Sequence, residues 1–206
     1  AHTPLLQEPA AAAHAYGFQA TEENATWLVY DLGGGTFDAA VIRLRDGEFS
    51  VVGHGGDNYL GGKLIDWQIV EELLIPAAVR QVPELAGLAR GNPRWNAAVA
   101  KLKQAAETAK IRLSRAETAD IFVELPDAER RRFDVDVELR RADVERLAEP
   151  LITRSVNLCR AALDELGIGP SDVEKVLMVG GQTAMPYLRQ RLADPRQGLG
   201  IPLDFA

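Results

Sequence analysis

The sequence predicts an α/β fold in which a sheet-and-helix core carries an inserted unit of helices and a hairpin. Three observations predict it: a run of three strands near the start, a long amphipathic helix in the middle, and a buried strand followed by a glycine turn and a helix near the end. We expect the core to comprise residues 1–60 and 142–206 and the inserted unit to comprise 61–141. At 206 residues, the chain is long enough for two closely packed subdomains.

The first part of the core is predicted to be a short helix followed by a meander. Residues 8–17 start with a Glu-Pro pair, continue through alanines and end at a glycine, which is the pattern of a short helix. The strands are expected near 27–32, 38–45 and 48–54. Asp46 and Gly47 form the turn between the last two strands, and the glycine-rich segment 55–62 is expected to break the sheet.

The inserted unit is predicted to contain two helices and an antiparallel hairpin. One helix is expected over about 64–80, and a longer one from Asn92-Pro93 to about Leu113, where apolar residues recur three and four apart. Strands near 119–125 and 132–138 should form a hairpin with one face in water. We interpret the arginine run 130–132 as a solvated hairpin turn.

The last part of the core is predicted to be helix, strand and helix. Helical pattern runs over 142–166, and Pro150 is expected to kink or restart that helix. The strand Lys175–Val179 leads into a second glycine turn, and a helix follows from Pro186 to about Leu192. We expect no terminal element at the end of the chain, and both ends read as those of a fragment of a longer protein.

Composition excludes several classes of partner and environment. The net charge of −7 comes with no basic stripe, which argues against nucleic acid as a partner. No apolar run approaches the roughly 18 residues of a membrane span, so no membrane association is expected. One cysteine excludes an internal disulfide and fits a reducing, cytoplasmic compartment. The apolar neighbours of Cys159 predict a buried, inert thiol.

The segment Trp27–Val41 carries the clearest chemical signal. It reads as a strand ending in Asp31, a turn of three glycines closed by Thr36, and a returning strand that carries Asp38. Such a turn lets the backbone approach a ligand, and its N–H groups form a concavity suited to phosphate. The two carboxylates can hold Mg²⁺ through its waters. A glycine triplet alone serves hairpin geometry more often than phosphate binding, but the second glycine turn, Val179–Thr183, favours a nucleotide site.

A polar stripe lies on the long central helix. Glu107, Lys110 and Ser114 are spaced three and four apart and fall within about 60° of one another, beside the apolar face. Such a stripe can line a cleft and hydrogen-bond a ribose or base. The residue types alone favour a simpler interpretation, a Glu–Lys surface pair worth a few tenths of a kcal/mol.

Five motifs, in this order, resemble the second lobe of the ATPase domain of the heat-shock protein 70 (DnaK-type) chaperone family. Asp31–Asp38 matches the family's second phosphate motif residue for residue. The other four stretches resemble its connecting helix, a glycine-rich segment, its adenosine-contacting helix and its adenosine motif: Gln7–Gly17, Gly56–Gly62, Ala106–Ser114 and Val179–Pro186. The resemblance covers essentially the whole chain.

The resemblance implies an actin-like (ribonuclease H-like) lobe, with the inserted unit as its upper subdomain. It implies ATP or ADP with Mg²⁺ as ligands and phosphoryl transfer to water as the chemistry. The implied catalytic and metal-shell residues are Glu8, Asp31, Thr36 and Asp38, with Mg²⁺ held by Asp31 and Asp38 through its waters. The implied phosphate contacts are Gly33, Gly34, Gly35 and Thr36. The implied adenosine contacts are Glu107, Lys110, Ser114, Gly180 and Gly181, which reverses the preference for a surface pair.

Three positions depart from the family pattern. Ala184 stands where the family usually has an arginine that packs on the base, and Lys63 and Leu64 replace two acidic residues after the paired glycines. Losing the arginine should weaken adenine binding by about 1 kcal/mol. These departures suggest a divergent DnaK-like paralogue.

The family's first lobe and its peptide-binding domain have no counterpart in this sequence. We therefore expect the parent protein to be the ATPase, acting as a stress-response chaperone, and the chain alone to have little activity, since half a cleft cannot align the nucleophile. Partners implied by the resemblance are the missing lobe and domain, an exchange factor and a J-domain co-chaperone.

Two other functions remain open from the sequence. The departures at Lys63, Leu64 and Ala184 fit a docking module for an exchange factor or co-chaperone with degenerate nucleotide binding. A different actin-like ATPase, such as a sugar kinase or a filament protein, is the other alternative, and the Glu-Pro-Ala helix and the polar stripe argue against it.

Overall fold

The computed structural model of the protein describes residue 11 and residues 24–205. Apart from residue 11, the helix predicted over 8–17 lies outside the described residues, and so does Glu8. The chain divides into two compact units. The first consists of the residues up to Gly62 together with those from Pro150 onward, and the second is Lys63–Glu149.

Along the described residues the strands come as a group of three, a hairpin and two single strands near the end, and helices lie between these groups. The strands are β1 Asn24–Leu32, β2 Phe37–Arg45, β3 Glu48–Asp57, β4 Thr118–Pro126, β5 Arg132–Arg140, β6 Lys175–Val179 and β7 Leu203–Phe205. The α-helices are α1 Gly62–Gln68, α2 Ile75–Gln81, α3 Asn96–Leu113, α4 Arg141–Asp164 and α5 Pro186–Ala193. A π-helical segment, Ile69–Leu74, joins α1 to α2.

The sheet of the first unit is mixed. Within the described residues its strand order is β3-β2-β1-β6-β7. The three predicted strands form an antiparallel meander, and β6 and β7 each run parallel to their neighbour. Asp46 and Gly47 have φ of 51° and 78°, the two positive values that a two-residue turn of type I′ needs, so the predicted turn is confirmed.

The segment 55–62 does not break the sheet where the sequence suggested. Strand β3 continues to Asp57, which pairs with Phe37. Gly53 lies against Leu166, just after α4, and Gly55 lies under α4, where a Cβ would be 3.2 Å from the carbonyl oxygen of Leu158. The glycines are therefore strand residues over which a helix packs closely, rather than a loop.

Both faces of this sheet carry the core of the first unit. One face holds a cluster of buried apolar side chains: Trp27, Val29, Ala40, Ile42, Leu44 and Leu177. On the other face the hydroxyl of buried Tyr30 lies 2.6 Å from Ser155 Oγ of α4. Cys159 on the same helix is buried as predicted, and burial raises the pKa of its thiol, which keeps it protonated and inert.

The helix predicted over 64–80 is present but changes type in its middle. Pro76 has no N–H to donate, and its ring would clash with the carbonyl four residues earlier in an α-helix. The backbone widens just before it: the N–H of Ile75 donates to the carbonyl of Val70, five residues back. The π-helical segment therefore accommodates the proline without ending the helix.

The long helix and the hairpin of the second unit are confirmed. The Asn92 side chain accepts a hydrogen bond from the N–H of Arg94 and so caps the short turn that precedes α3. Buried and exposed residues alternate along β4 and β5, which leaves one face of the hairpin in water. That face carries Phe122, which is 75% exposed.

Pro150 does not end or restart its helix, so the expected restart was wrong. Helix α4 runs unbroken over Arg141–Asp164. Apolar side chains on both sides of the proline are buried, among them Val144 and Leu147 before it and Ile152 and Val156 after it. Their burial offsets the cost of about 3 kcal/mol for an internal proline.

The end of the described chain was also predicted incorrectly. Leu203–Phe205 forms a short strand, β7, parallel to β6. Three residues are too few to show the alternation of apolar and polar side chains that predicts a strand. This strand forms because β6 offers an edge with which it can pair. In residues 24–205, no helix combines the length and apolar character that crossing a membrane needs.

Candidate functional site in the glycine turns

The glycine turn between β1 and β2 is open. It spans Gly33–Thr36, and its one internal hydrogen bond runs from the N–H of Gly33 to the carbonyl of Thr36, at 3.0 Å. Gly34, Gly35 and Thr36 are exposed. Among the described residues, the amides of Gly34 and Gly35 donate no backbone hydrogen bond. These N–H groups are therefore available to an anion.

Two carboxylates flank this turn directly opposite each other. The register of β1 and β2 pairs Asp31 with Asp38, so their side chains lie on the same face of the sheet. Cross-strand neighbours have Cβ atoms about 5 Å apart, and two like charges at that separation destabilise the pair. A cation between or beside them relieves the repulsion.

Two other glycine segments hold the turn from outside. The N–H of Gly62 donates to the carbonyl of Gly33 at 3.0 Å. A Cβ at Gly61 would lie 2.7 Å from three backbone atoms of Gly35, so the two backbones touch. Gly180 has φ of 91°, and a Cβ there would lie 2.4 Å from the carbonyl oxygen of Leu32. The close approaches at Gly61 and Gly180 each require a glycine.

The second glycine turn lies beside the first because β6 is parallel to β1. Asp31 pairs with Val179, the last residue of β6, so both strands end at the same edge of the sheet. Gly181–Ala184 then forms a 3₁₀ turn, closed by a hydrogen bond of 2.7 Å from the Thr183 hydroxyl to the carbonyl of Gly180. Ligands of open α/β sheets bind at such an edge, outside the carboxyl ends of the strands.

A histidine that the sequence did not point to contacts one of the carboxylates. His54 Nε2 lies 3.4 Å from Asp38 Oδ1, and both side chains are partly exposed. Gly56 pairs with Asp38 across β2 and β3, and a Cβ there would lie 3.0 Å from the same carboxylate oxygen. The register shifts at a bulge between Val41 and Ile42, so counting from the turn does not bring His54 to this position.

The segment between β3 and the paired glycines is fixed by Asp57. Its carboxylate is buried, pairs with Arg154 of α4, and accepts a hydrogen bond of 2.9 Å from the N–H of Tyr59. This contact orders the chain just before Gly61 and Gly62, which hold the first turn.

The polar stripe of the second unit lies on α3, as predicted, but it is not a surface Glu–Lys pair. Lys110 is only 6% exposed, and its Nζ lies 2.6 Å from Oδ1 of the buried Asp66. Glu107 is exposed and lies 3.8 Å from Lys103 Nζ. Ser114 is half-buried at the end of the helix. The surface-pair interpretation was wrong because Asp66, distant in sequence, draws the ammonium inward.

The residues that depart from the resembled pattern are exposed. Lys63 and Leu64 lie in the first turn of α1, and Ala184 ends the 3₁₀ turn after β6. None of these three side chains is buried in the hydrophobic core.

The two carboxylates Asp31 and Asp38 suit a magnesium ion better than a metal that is ligated directly by several side chains. Within the described residues, no group of three or more His, Cys, Asp or Glu side chains is placed to hold a metal ion. Mg²⁺ is usually bound by one or two carboxylates together with waters and substrate phosphates. Asp31 and Asp38, which lie beside the open turn with its exposed amides, have the chemistry that this kind of site uses.

Comparison with known proteins identifies a family. The family model described as "Hsp70 protein" matches residues 3–196. The chain is 37% identical over 191 residues to the "Chaperone protein DnaK" of Mycoplasma mobile, covering 91% of this chain and 30% of that protein. It is 40% identical over 190 residues to the "Chaperone protein HscA homolog" of Bordetella petrii, covering 92% of this chain and 28% of that protein. The chain spans less than a third of the length of these curated relatives.

Proposed function

The chain belongs to the Hsp70 protein family and has the actin-like α/β fold of that family's ATPase domain, and we propose that it is the nucleotide-binding lobe of an ATP-dependent, DnaK-like chaperone. It binds ATP or ADP together with Mg²⁺. The observation that carries the proposal is the open turn Gly33–Thr36, with free amides and a carboxylate on each side.

The phosphate contacts are assigned to the first turn. Gly33, Gly34, Gly35 and Thr36 contact the β- and γ-phosphates, with the amides of Gly34 and Gly35 and the Thr36 hydroxyl as donors. Asp31 and Asp38 hold the waters of Mg²⁺, which neutralises phosphate charge when bound. Glu8, by family resemblance, helps to position the attacking water.

The nucleoside contacts are assigned by family resemblance to two sets of residues. Glu107, Lys110 and Ser114 lie on α3 in the second unit, and Gly180 and Gly181 follow β6 in the first. The ion pair with Asp66 holds the Lys110 ammonium in one place. We assign the inserted unit, 61–141, to the upper subdomain and the remaining residues to the lower one.

The activity of the whole protein is part of the same proposal. It is a cytoplasmic ATPase that works in the stress response with a first lobe, a peptide-binding domain, an exchange factor and a J-domain co-chaperone. The chain alone is expected to hydrolyse ATP far more slowly than a two-lobed protein, because one wall of the cleft cannot exclude water or align the nucleophile.

Isothermal titration calorimetry with Mg-ADP and Mg-ATP tests the assignment. We expect saturable binding that weakens when EDTA removes Mg²⁺ and falls about tenfold in Gly35→Ala, whose methyl group occupies the phosphate side of the turn. Asp46→Asn, at the far end of β2, is the control and should bind like the unaltered chain. Absence of nucleotide binding would contradict the proposal and favour the docking module.

A steady-state assay tests the expected inactivity. Hydrolysis by this chain at the rate of an intact two-lobed relative would contradict the assignment of one wall of the cleft to it.

A further inference from the structure

The outer face of the β4–β5 hairpin combines an exposed aromatic ring with negative charge. Phe122 lies near its middle and is 75% exposed. The face carries five carboxylates and two guanidiniums: Asp120, Glu124, Asp134, Asp136, Glu138, Arg132 and Arg140. Alternate residues of a strand share a face, so these side chains form one surface. Its net charge is negative.

The carboxylates on this face lie opposite one another. Asp120 pairs with Glu138 and Glu124 with Asp134 across the two strands. Like charges in directly opposed positions destabilise a hairpin. The arrangement therefore has an electrostatic cost that a cationic partner would remove.

Only part of this negative charge is neutralised within the chain. Glu124 lies near Lys101 and Arg132, and Glu138 lies near Arg140. Over residues 24–205, the side chains of three carboxylates on the face form no ion pair; they are Asp120, Asp134 and Asp136. Phe122, directly opposite Asp136, lies among them.

The outer edge of β4 faces a groove. Among the described residues β4 pairs with β5 alone, so its other edge has no strand beside it. A concavity of about 540 Å³ lies between this edge and α3, with Gln104, Thr108 and the basic residues Lys101 and Arg112 on the helix side and residues 120–124 on the strand side. Lys101 Nζ donates to the carbonyl of Glu124 at 2.9 Å, which places that carbonyl on the edge facing the helix.

The backbone groups of two more residues face the same groove. In an antiparallel pair, the N–H and C=O of one residue point to the same side, and the side alternates along the strand. Asp120 and Phe122 lie four and two residues before Glu124 on the same strand, so their N–H and C=O groups also point to the open edge. The groove thus offers both main-chain donors and acceptors.

We propose that this groove binds an extended segment of another protein, with basic side chains at alternate positions, as a third strand of the hairpin. Such a strand gains main-chain hydrogen bonds from β4 and turns every second side chain onto the outer face. Basic residues there lie beside Asp120 and Glu124 of β4, with the carboxylates of β5 one strand further away, and one of them stacks on Phe122. The intervening side chains face α3, which presents Lys101, Gln104, Thr108 and Arg112, and they are therefore not basic. The proposal is independent of nucleotide binding.

The same charges disfavour a second copy of this chain as the occupant. Pairing two β4 edges would place two acidic faces side by side, and natural sheet edges use such charges to prevent self-association. Repulsion of an acidic strand and attraction of a basic one together select the partner.

Fluorescence anisotropy with a defined peptide tests the proposal. The probe is a dye-labelled nine-residue peptide with lysine at alternate positions and threonine between. The control is the same peptide with N-methyl groups on its central residues, which keeps every charge and removes main-chain donors. We expect at least tenfold tighter binding of the unmethylated peptide and no binding of a peptide with glutamate for lysine. Equal binding of the methylated peptide, or no saturable binding below about 1 mM, would overturn the proposal.

Variants of the chain locate the site. Phe122→Thr and Asp136→Asn each alter an exposed side chain and should weaken binding several-fold. Glu84→Gln removes an exposed carboxylate elsewhere in the second unit and should leave binding unchanged; equal weakening by this variant would show that binding follows net charge alone. Hydrogen exchange supplies a second readout: the amides of Asp120, Phe122 and Glu124 should exchange more slowly with peptide bound, and unchanged exchange would contradict strand addition.

Discussion

Two hairpin turns of this protein are held in opposite ways. The turn after β4 is held from within by Asp127, whose buried carboxylate accepts hydrogen bonds from the amides of Glu129 and Arg131 and from the guanidinium of Arg131. Arg94 also reaches this carboxylate, at 3.4 Å. The turn after β1, Gly33–Thr36, is held from outside by the backbones of two other glycine segments.

The difference shows which turn is available to a ligand. In the Asp127 turn the amides of Glu129, Arg130 and Arg131 already donate to Asp127. The arginine run is exposed as predicted, with the Arg131 guanidinium on Asp127 and Arg130, with φ of 64°, at the corner. In the glycine turn the external support leaves the amides of Gly34 and Gly35 free. A turn that another part of the backbone holds in place can keep its own donors for an anion.

The largest expected effect comes from a substitution that removes the external support of the glycine turn. Gly180→Ala places a residue at φ 91° and ψ 150°, a region open essentially to glycine, and drives its Cβ against Leu32. We expect a loss of about 3 kcal/mol in stability, seen as a fall of about 8 °C in Tm. Gly181→Ala is the matched control, since no heavy atom lies within 4 Å of its Cβ. Equal Tm values for the two variants would contradict this account.

The next largest effect is expected from a substitution that removes the internal support of the Asp127 turn. Asp127→Ala leaves the amides of Glu129 and Arg131 and the guanidinium of Arg94 without their acceptor, and we expect Tm to fall by about 5 °C. Glu129→Ala removes an exposed ion pair with Arg131 and should shift Tm by no more than about 1 °C. A loss in Glu129→Ala as large as in Asp127→Ala would show that surface charge, not the buried acceptor, holds the turn.

The stability of Gly35→Ala should change little, which would show that its loss of nucleotide affinity does not come from a folding defect. No heavy atom lies within 4 Å of a Cβ at Gly35, so Gly35→Ala should change the free energy of unfolding by no more than about 0.5 kcal/mol. Urea denaturation measures it. A much larger loss would mean that Gly35 is required by the fold, and its loss of nucleotide affinity could not then be ascribed to the phosphate site.

The smallest effect is a dependence on pH. Burial alone would raise the pKa of the Asp127 carboxyl, but the hydrogen bonds from Arg131 and Glu129 outweigh burial and hold it below its ordinary value. The carboxylate therefore stabilises the fold above that ordinary value, near 4, and this contribution is lost as pH falls through the lower, folded-state pKa. The Tm difference between the unaltered chain and Asp127→Asn should be constant from pH 6 to pH 8 and shrink below about pH 4; a difference unchanged at pH 3 would contradict this.

Patterns within one element were predicted well. The meander, the long helix, the hairpin and the strand Lys175–Val179 follow from periodicity and turn residues, and the glycine motifs alone indicate the family. Features that depend on a distant partner were missed. The residue types alone favoured a surface pair for Lys110 because Asp66 is not near it in sequence, and the contact of His54 with Asp38 depends on a bulge.

The sequence by itself determined the family, the α/β order of elements and the turn Gly33–Thr36, because each depends on residue types at short spacing. Tertiary structure decided how that turn is used. Parallel pairing of β6 with β1 brings Gly180 against Leu32, and the contact of Gly61 with Gly35 fixes the turn without consuming its amides. These contacts join residues far apart in the chain, and no local pattern records which backbones will touch.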